Sequence, residues 1–393
     1  MISYRISDIS LKVLIAHISL NTPGGGELVC LSMINALSRA GYEVTLATVD
    51  KTDWQKVKKS LNHTYNPVKE IYIFSKLPEM RLTILNSFLL TGIFLLELIL
   101  LKFLRKWDIV VNTCGEKLDS IADIAYINGF PVRCAFFLPN AKTSRRCYSI
   151  LYNLLLKVLD KTSPSVIVVN SKFSYDAINA CFKKKAILVY PPVNLHRICD
   201  LINVKKRNNV VLVYSQYTPT QNLQIVPKIA KYVQKGDFAI FGPYGAEASK
   251  TINTLYRSAN NLLVLKRVKI LVDQPFQKFK DLLFEAKVFL RTLPYEPFGI
   301  SVVEAMAAGC VPVVPRCGGP WFDILDCKQG VYGFSYASIG EAAEIINRLL
   351  EDDVLRESVA SRARERALMF DSSIFEKKIL DVVDKVYRFK GEK

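Results

Sequence analysis

Residues 294–319 read PYEPFGISVVEAMAAGCVPVVPRCGG. Glu296 precedes Pro297-Phe298-Gly299, and a second carboxylate, Glu304, follows eight positions later. The spacing of apolar and small residues predicts a helix over 300–308, stopped at Gly309, where glycine takes a left-handed C-cap most cheaply. The β-branched run 311–314 then reads as a buried parallel strand. The module is loop, helix, glycine stop, strand. Gly299 lets the loop backbone approach a ligand closely, and the amides of Ile300 and Ser301 opening the helix suit an anionic group.

The same pattern begins the chain. Residues 11–17 (LKVLIAH) form an apolar strand that runs into SLNTPGGGE. Gly24, Gly25 and Gly26 precede a helix over about 27–40, Gly41 ends it, and 44–47 continue as a strand. A strand, glycine loop, helix and strand open a doubly wound sheet, with the loop at the strand's carboxyl end. Further strands are expected at 108–112, 124–127, 166–170 and 186–190, where Pro191-Pro192 halts the run. A polar linker, 205–209, leads to a second series at 210–214, 238–241, 262–265 and 288–291. The amphipathic segment 374–388 closes the chain. The fold class is therefore α/β with two Rossmann-like domains.

The 294–319 segment resembles the C-terminal signature of glycosyltransferase family 4, retaining enzymes of the GT-B class, in which seven residues separate two glutamates. The GGGE loop looks most like that of enzymes extending dolichol-linked oligosaccharides with α-1,2-mannose. VNSKFS and VYPPVN, within 169–174 and 189–194, resemble the family again. The resemblance implies two domains facing across a cleft: 1–195 on the acceptor and membrane side, 196–373 holding the nucleotide sugar, and 374–393 returning to the first. It implies metal-independent transfer of mannose or another hexose from a GDP- or UDP-linked donor to a lipid-linked or glycan acceptor, with no cofactor. Glu296 would lie beside the reacting sugar and Glu304 on the ribose. The amides of Phe298, Gly299 and Ile300 would hold the donor sugar. Ser215, Gln221, Lys266 and Arg267 would complete the donor site, and Gly24, Gly25, Gly26 and Asn128 the acceptor side. A carboxylate near an oxocarbenium-like centre stabilises it, and ribose hydroxyls donate naturally to a carboxylate.

Three departures bear on activity. Gln221 stands where the family's diphosphate-binding turn carries lysine, and neither Gln216 nor Thr218 supplies the arginine. A neutral amide bonds a phosphate oxygen without neutralising it. No histidine accompanies Asn128 in AYINGFP, and Leu28 replaces an arginine frequent after GGGE. Other cations, Lys172, Lys266, Arg267 and Arg316, are candidates for the missing charge. The alternative reading is a non-catalytic homologue that binds a sugar ligand or partner.

Composition sets the remaining bounds. The chain has 393 residues and a net charge of +17, which calls for an anionic partner. Its first 195 residues carry 24 Lys and Arg against 14 Asp and Glu. Basic and aromatic residues interleave from Phe130 through Arg133, Arg145 and Arg146 to Tyr152, yet no nucleic-acid module is visible. Residues 82–104 are the most apolar stretch, and Glu97 lies within it. A helix in the membrane interface is preferred, with Lys102, Arg105 and Lys106 meeting lipid phosphates; a buried helix and a spanning one are the alternatives. Nine cysteines without metal-ligand spacing, and no secretory signal in 1–10, favour a cytoplasmic protein, peripheral on the membrane's cytoplasmic face.

Overall fold

The computed structural model describes residues 11–21, 24–61, 69–75, 84–104, 107–115, 121–129, 166–182, 186–199, 207–245 and 247–391. The chain divides into two units, Met1–Pro192 with Ser373–Lys393, and Val193–Ser372. The described strands of the first unit are β1 (Lys12–Ala16), β2 (Glu43–Asp50), β3 (Lys69–Phe74), β4 (Ile109–Asn112), β5 (Ile124–Ile127), β6 (Val166–Val169) and β7 (Ala186–Leu188). All pair in parallel, in the order β3-β2-β1-β4-β5-β6-β7. The second unit repeats the scheme with β8 (Asn208–Tyr214), β9 (Asp237–Gly242), β10 (Val268–Val272), β11 (Ala286–Leu290), β12 (Val311–Pro315) and β13 (Phe334–Tyr336). Their order is β10-β9-β8-β11-β12-β13, again parallel.

Parallel strands need helical crossovers, so helices cover both faces and the central strands become apolar throughout. β12 is buried at all five positions and β1 at four of five. Strand order reverses between β1 and β4, and between β8 and β11. There the crossovers diverge to opposite faces and leave a crevice at the carboxyl ends of the strands. The final helix, Ser372–Gly391, lays Phe375, Ile379, Val382, Val383 and Val386 into the first unit's core, a stripe at helical spacing.

Two expectations need correction. The apolar run 262–265 is not a strand: Leu262 caps the helix Ala248–Asn261, and Leu263 turns through φ +59° with 92% of its surface exposed. The strand is β10, in register with β9 from Val268 opposite Phe238. The second concerns the apolar helix, Ile84–Leu104. Phe94 and Leu98 are buried against Leu14, Ala47 and Val110, whereas Ile93, Leu96, Leu100 and Leu104 are exposed. The buried reading thus holds for one face, and the other face is exposed. Among the described residues no helix is long and apolar enough to cross a membrane. Burial raises the Glu97 pKa. Lys102 donates to Ile121 O at 2.8 Å, so its ammonium is tied to the protein, while Arg105 and Lys106 lie outside the described residues. The basic, aromatic stretch 130–152 lies outside them as well.

Candidate active site

The switch point of the second unit brings together the residues following β8 and β11. After β8 the chain passes Ser215 into a single helical turn, Pro219–Gln221, and leaves it through Asn222 at φ +57°. Asparagine tolerates that left-handed conformation better than most residues. Asn222 Nδ2 donates to Thr292 O at 3.3 Å, and Thr292 Oγ1 donates to Gln221 O at 2.8 Å. The turn is thereby fastened to the end of β11.

Arg291, the first residue after β11, is 6% exposed and uses all three of its side-chain nitrogens as donors. Its Nη1 donates to Tyr214 O at 2.9 Å and its Nη2 to Gln221 Oε1 at 3.3 Å. Nε and Nη2 together grip Glu296, at 2.5 Å to Oε2 and 2.8 Å to Oε1. This two-pronged geometry matches the guanidinium fork to the plane of the carboxylate. Ser215 Oγ donates to Gln221 Oε1 at 2.9 Å, completing a Tyr214–Arg291–Gln221–Ser215–Glu296 network.

The backbone holding Glu296 is equally constrained. Tyr295 has φ +55°, a conformation that costs a non-glycine residue energy and persists only when its surroundings impose it. Glu296 O accepts the Gly319 amide at 2.7 Å. A Cβ on Gly319 would lie 2.1 Å from Pro297 O, and one on Gly318 2.7 Å from Glu296 O. The Gly318-Gly319 pair therefore presses directly on the 295–298 loop. Phe298 anchors the loop from below, its buried ring edge-on to Phe370 with centroids 5.3 Å apart. Gly299, at φ +103°, starts the helix Ile300–Ala308, and Gly309 ends it at φ +90°. Ile300 opens that helix and Glu304 lies one turn further along it. Burial pushes the Tyr214 phenol up to about 12, the Glu304 carboxylate adding to the rise and Arg291 opposing it. Glu304 therefore acts on the same strand end as Arg291.

Lys266 and Arg267 are not brought to this network. They precede β10, at the amino edge of a parallel sheet whose site lies at the carboxyl edge. Arg267 caps the helix Ile225–Tyr232, donating to Ala230 O at 2.6 Å and Val233 O at 2.7 Å. Arg316 follows β12 but donates to Ser335 Oγ at 3.1 Å and pairs with Glu341. Lys172 begins a helix, Lys172–Phe182, of the first unit. The cation beside Gln221 is instead Arg291. A basic residue ending an apolar strand five positions before Glu296 was the available signal.

In the first unit, β1 is followed by a buried histidine, His17, to which the sequence reading assigns no role. Thr113 Oγ1, after β4, donates to Ala16 O at 3.0 Å, so it accepts from His17 Nδ1 at 2.9 Å. His17 Nε2 faces Glu27 Oε1 at 3.6 Å. Burial works to lower the His17 pKa, but the Cys30 thiol and the Glu27 carboxylate outweigh it and raise it to about 10. Asn128 Nδ2 donates to Thr113 O at 2.7 Å, and Asn170 Nδ2 to Asn128 O at 2.7 Å. Gly24, extended at φ −161°, caps the helix Gly25–Arg39, so Gly25 and Gly26 form its first turn. A Cβ on Gly26 would meet Asn128 Nδ2 at 3.6 Å and His17 Cε1 at 4.0 Å. Glycine loop, Asn128 and His17 thus share one place in the first unit.

The family "Glycosyl transferases group 1" matches residues 201–366. The human GDP-Man:Man(3)GlcNAc(2)-PP-Dol alpha-1,2-mannosyltransferase is 28% identical over 258 residues, 61% of this chain and 51% of that protein. The chain spans about half the length of such curated relatives. Among solved structures, Anabaena HepE in complex with UDP and glucose aligns with TM-score 0.72 at 18% identity, over 95% of this chain and 100% of that one. Sucrose-phosphate synthase of Thermosynechococcus elongatus aligns with TM-score 0.75 at 14% identity, over 96% and 99%. The chain thus has the two-sheet GT-B fold of these structures, and its second unit carries the match to the group 1 glycosyl transferases.

Proposed function

We propose that the protein is a retaining, metal-independent transferase that moves a hexose, mannose first among the candidates, from a GDP- or UDP-linked donor to a lipid-linked or glycan acceptor. The observation that carries this reading is the Glu296 carboxylate, held in a fixed plane by Arg291 beside the glycine-started helix Ile300–Ala308. The first amides of that helix suit the donor's anionic or polar oxygens. In the transfer, the bond from the anomeric carbon to the diphosphate breaks and the acceptor oxygen takes its place. The acceptor's proton leaves with the nucleoside diphosphate. An oriented carboxylate stabilises the positive charge that grows on the sugar ring. Glu304 is assigned to the donor's ribose, and the His17–Glu27–Asn128 group to the acceptor side. The mannosyl transfer and lipid-linked acceptor named for the human relative favour mannose and a lipid diphosphate.

Action at the cytoplasmic face of a membrane, by peripheral attachment, is part of the proposal. Its support is the exposed stripe Ile93, Leu96, Leu100 and Leu104 on a chain of net charge +17. The test is a donor screen with GDP- and UDP-sugars and a lipid-diphosphate acceptor, scoring transferred sugar and its anomeric configuration. Release of nucleotide with a retained product is the expected result. Sugar binding without turnover by the folded protein would establish the non-catalytic reading instead.

A further inference from the structure

The neutral residue at 221 is oriented by its neighbours. Guanidinium nitrogens donate and never accept, so the group that Gln221 presents to Arg291 Nη2 must be its amide oxygen. Ser215 Oγ reaches the same oxygen at 2.9 Å. The Gln221 Nε2, with two N–H groups, therefore points away from both, and no hydrogen-bond partner of it is recorded among the described residues. The backbone of the residue is fixed as firmly, by Thr292 Oγ1 on its carbonyl and by Asn222 in the left-handed region behind it.

Arg291 has less freedom: its bonds to Tyr214 O, Gln221 Oε1 and both oxygens of Glu296 engage four of its five N–H groups. A two-pronged grip on an anion would require breaking the bond to Gln221 or the pair with Glu296. We propose that Arg291 is a positioning residue with two outputs: it holds Glu296 in one plane, and it turns the Gln221 amide so that its N–H groups serve a nucleoside diphosphate. This rests on the transferase reading above and deepens it. The charge missing from position 221 is thus supplied from behind it by Arg291, and the contact it supports becomes a hydrogen bond.

The experiment is calorimetric titration of the full chain with GDP and with UDP, for the unmodified protein, Gln221→Met, Arg291→Lys and the double variant, alongside steady-state kinetics. Lysine keeps the charge but cannot grip a carboxylate and an amide oxygen in one plane. Gln221→Met should weaken nucleotide binding by about 10- to 100-fold, the range for hydrogen bonds to a charged group. Arg291→Lys should weaken it comparably and also lower kcat, whereas Gln221→Met acts mainly on KM. The double variant should bind no worse than Arg291→Lys alone, since a released amide has nothing left to lose. Gln221→Glu, which retains a partner for Arg291 but offers no N–H, should bind worse than Gln221→Met and guards against a misfolded Arg291 variant. Independent, multiplying losses in the double variant would overturn the inference, as would wild-type affinity in Gln221→Glu. If the unmodified chain binds neither nucleotide, the transferase reading falls and takes this inference with it.

Discussion

The two switch points have the same topology and use glycine for opposite reasons. In the second unit, Gly318 and Gly319 lie where any Cβ would strike the backbone of the 295–298 loop. Those glycines are needed by the protein itself. In the first unit, a Cβ on Gly26 would make only ordinary van der Waals contact, at 3.6 Å from Asn128. Nothing in the fold demands glycine there, so its absence of a side chain is available to a ligand. The polar groups differ similarly. Arg291 joins two carbonyl-bearing segments and a carboxylate into one rigid network, whereas His17 holds its position through one hydroxyl and one carboxylate.

The largest expected effects fall on the second unit. Gly319→Ala should destabilise the protein by about 3 kcal/mol or more, because backbone rather than a side-chain tip must move. Glu296→Ala should cost about 3 kcal/mol as well, since it leaves the buried Arg291 guanidinium without its carboxylate. Its kcat should fall by roughly 10²- to 10³-fold with little change in donor affinity. Urea denaturation and steady-state kinetics check both. If Glu296→Ala kept full turnover, the carboxylate would be a structural partner of Arg291 and nothing more.

An effect specific to the first unit is pH dependence. The folded pKa of His17 is raised to about 10 from an ordinary 6.5, so the fold favours the charged ring. That stabilisation is fully present below about pH 6.5 and is lost as pH rises through about 10. The urea midpoint should therefore decline across this window in the unmodified protein and less so in His17→Gln. Glu27→Gln should bring the His17 titration, followed by NMR, to lower pH. A His17 pKa unmoved by Glu27→Gln would remove the carboxylate from the account.

Smaller still in stability, Gly26→Ala should leave the fold unchanged or slightly firmer, as alanine is the better helix former by up to about 1 kcal/mol. Transfer to the acceptor should nonetheless drop about tenfold, or about 1.4 kcal/mol, if a ligand approaches that backbone. Unchanged transfer would reduce the triple glycine to a helix start.

These contrasts explain what could be read from sequence. Local patterns were legible: the helix Ile300–Ala308 has the bounds its spacing predicts, and β5 does likewise at 124–127. β3 and β13 were not, because edge strands that are short or half-buried lack a continuous apolar run. The run 262–265 has the apolar character of a buried strand, yet Leu263 faces solvent. Glu296, Glu304 and Gln221 were noticed through motifs that occupy contiguous residues. Arg291 and Gln221 are 70 positions apart, and His17 and Thr113 are 96 apart. Such pairs meet only because sheet order places β8 beside β11 and β1 beside β4. Lys266 and Arg267 carry the needed charge in a segment expected near the cleft, but strand direction puts them at the opposite edge.

The first unit also carries a surface device, the half-buried helix Ile84–Leu104. Its inner face, Phe94 and Leu98, belongs to the core, whereas Leu96, Leu100 and Leu104 are 62%, 58% and 78% exposed. Replacing exposed leucines removes no packing, so Leu96→Ser with Leu100→Ser should shift stability by less than about 0.5 kcal/mol per site. Phe94→Ala, by contrast, should cost about 3 kcal/mol or more. Flotation with vesicles containing anionic lipid should recover the unmodified protein and lose the double serine variant. Partial recovery restored by low salt would assign the remainder to basic residues, each worth about 1 kcal/mol near an anionic surface. Equal flotation of the two proteins at high salt would exclude the leucine stripe as the attachment. The small stability effect makes the assay decisive, because a folded variant that no longer floats has lost a surface and nothing else.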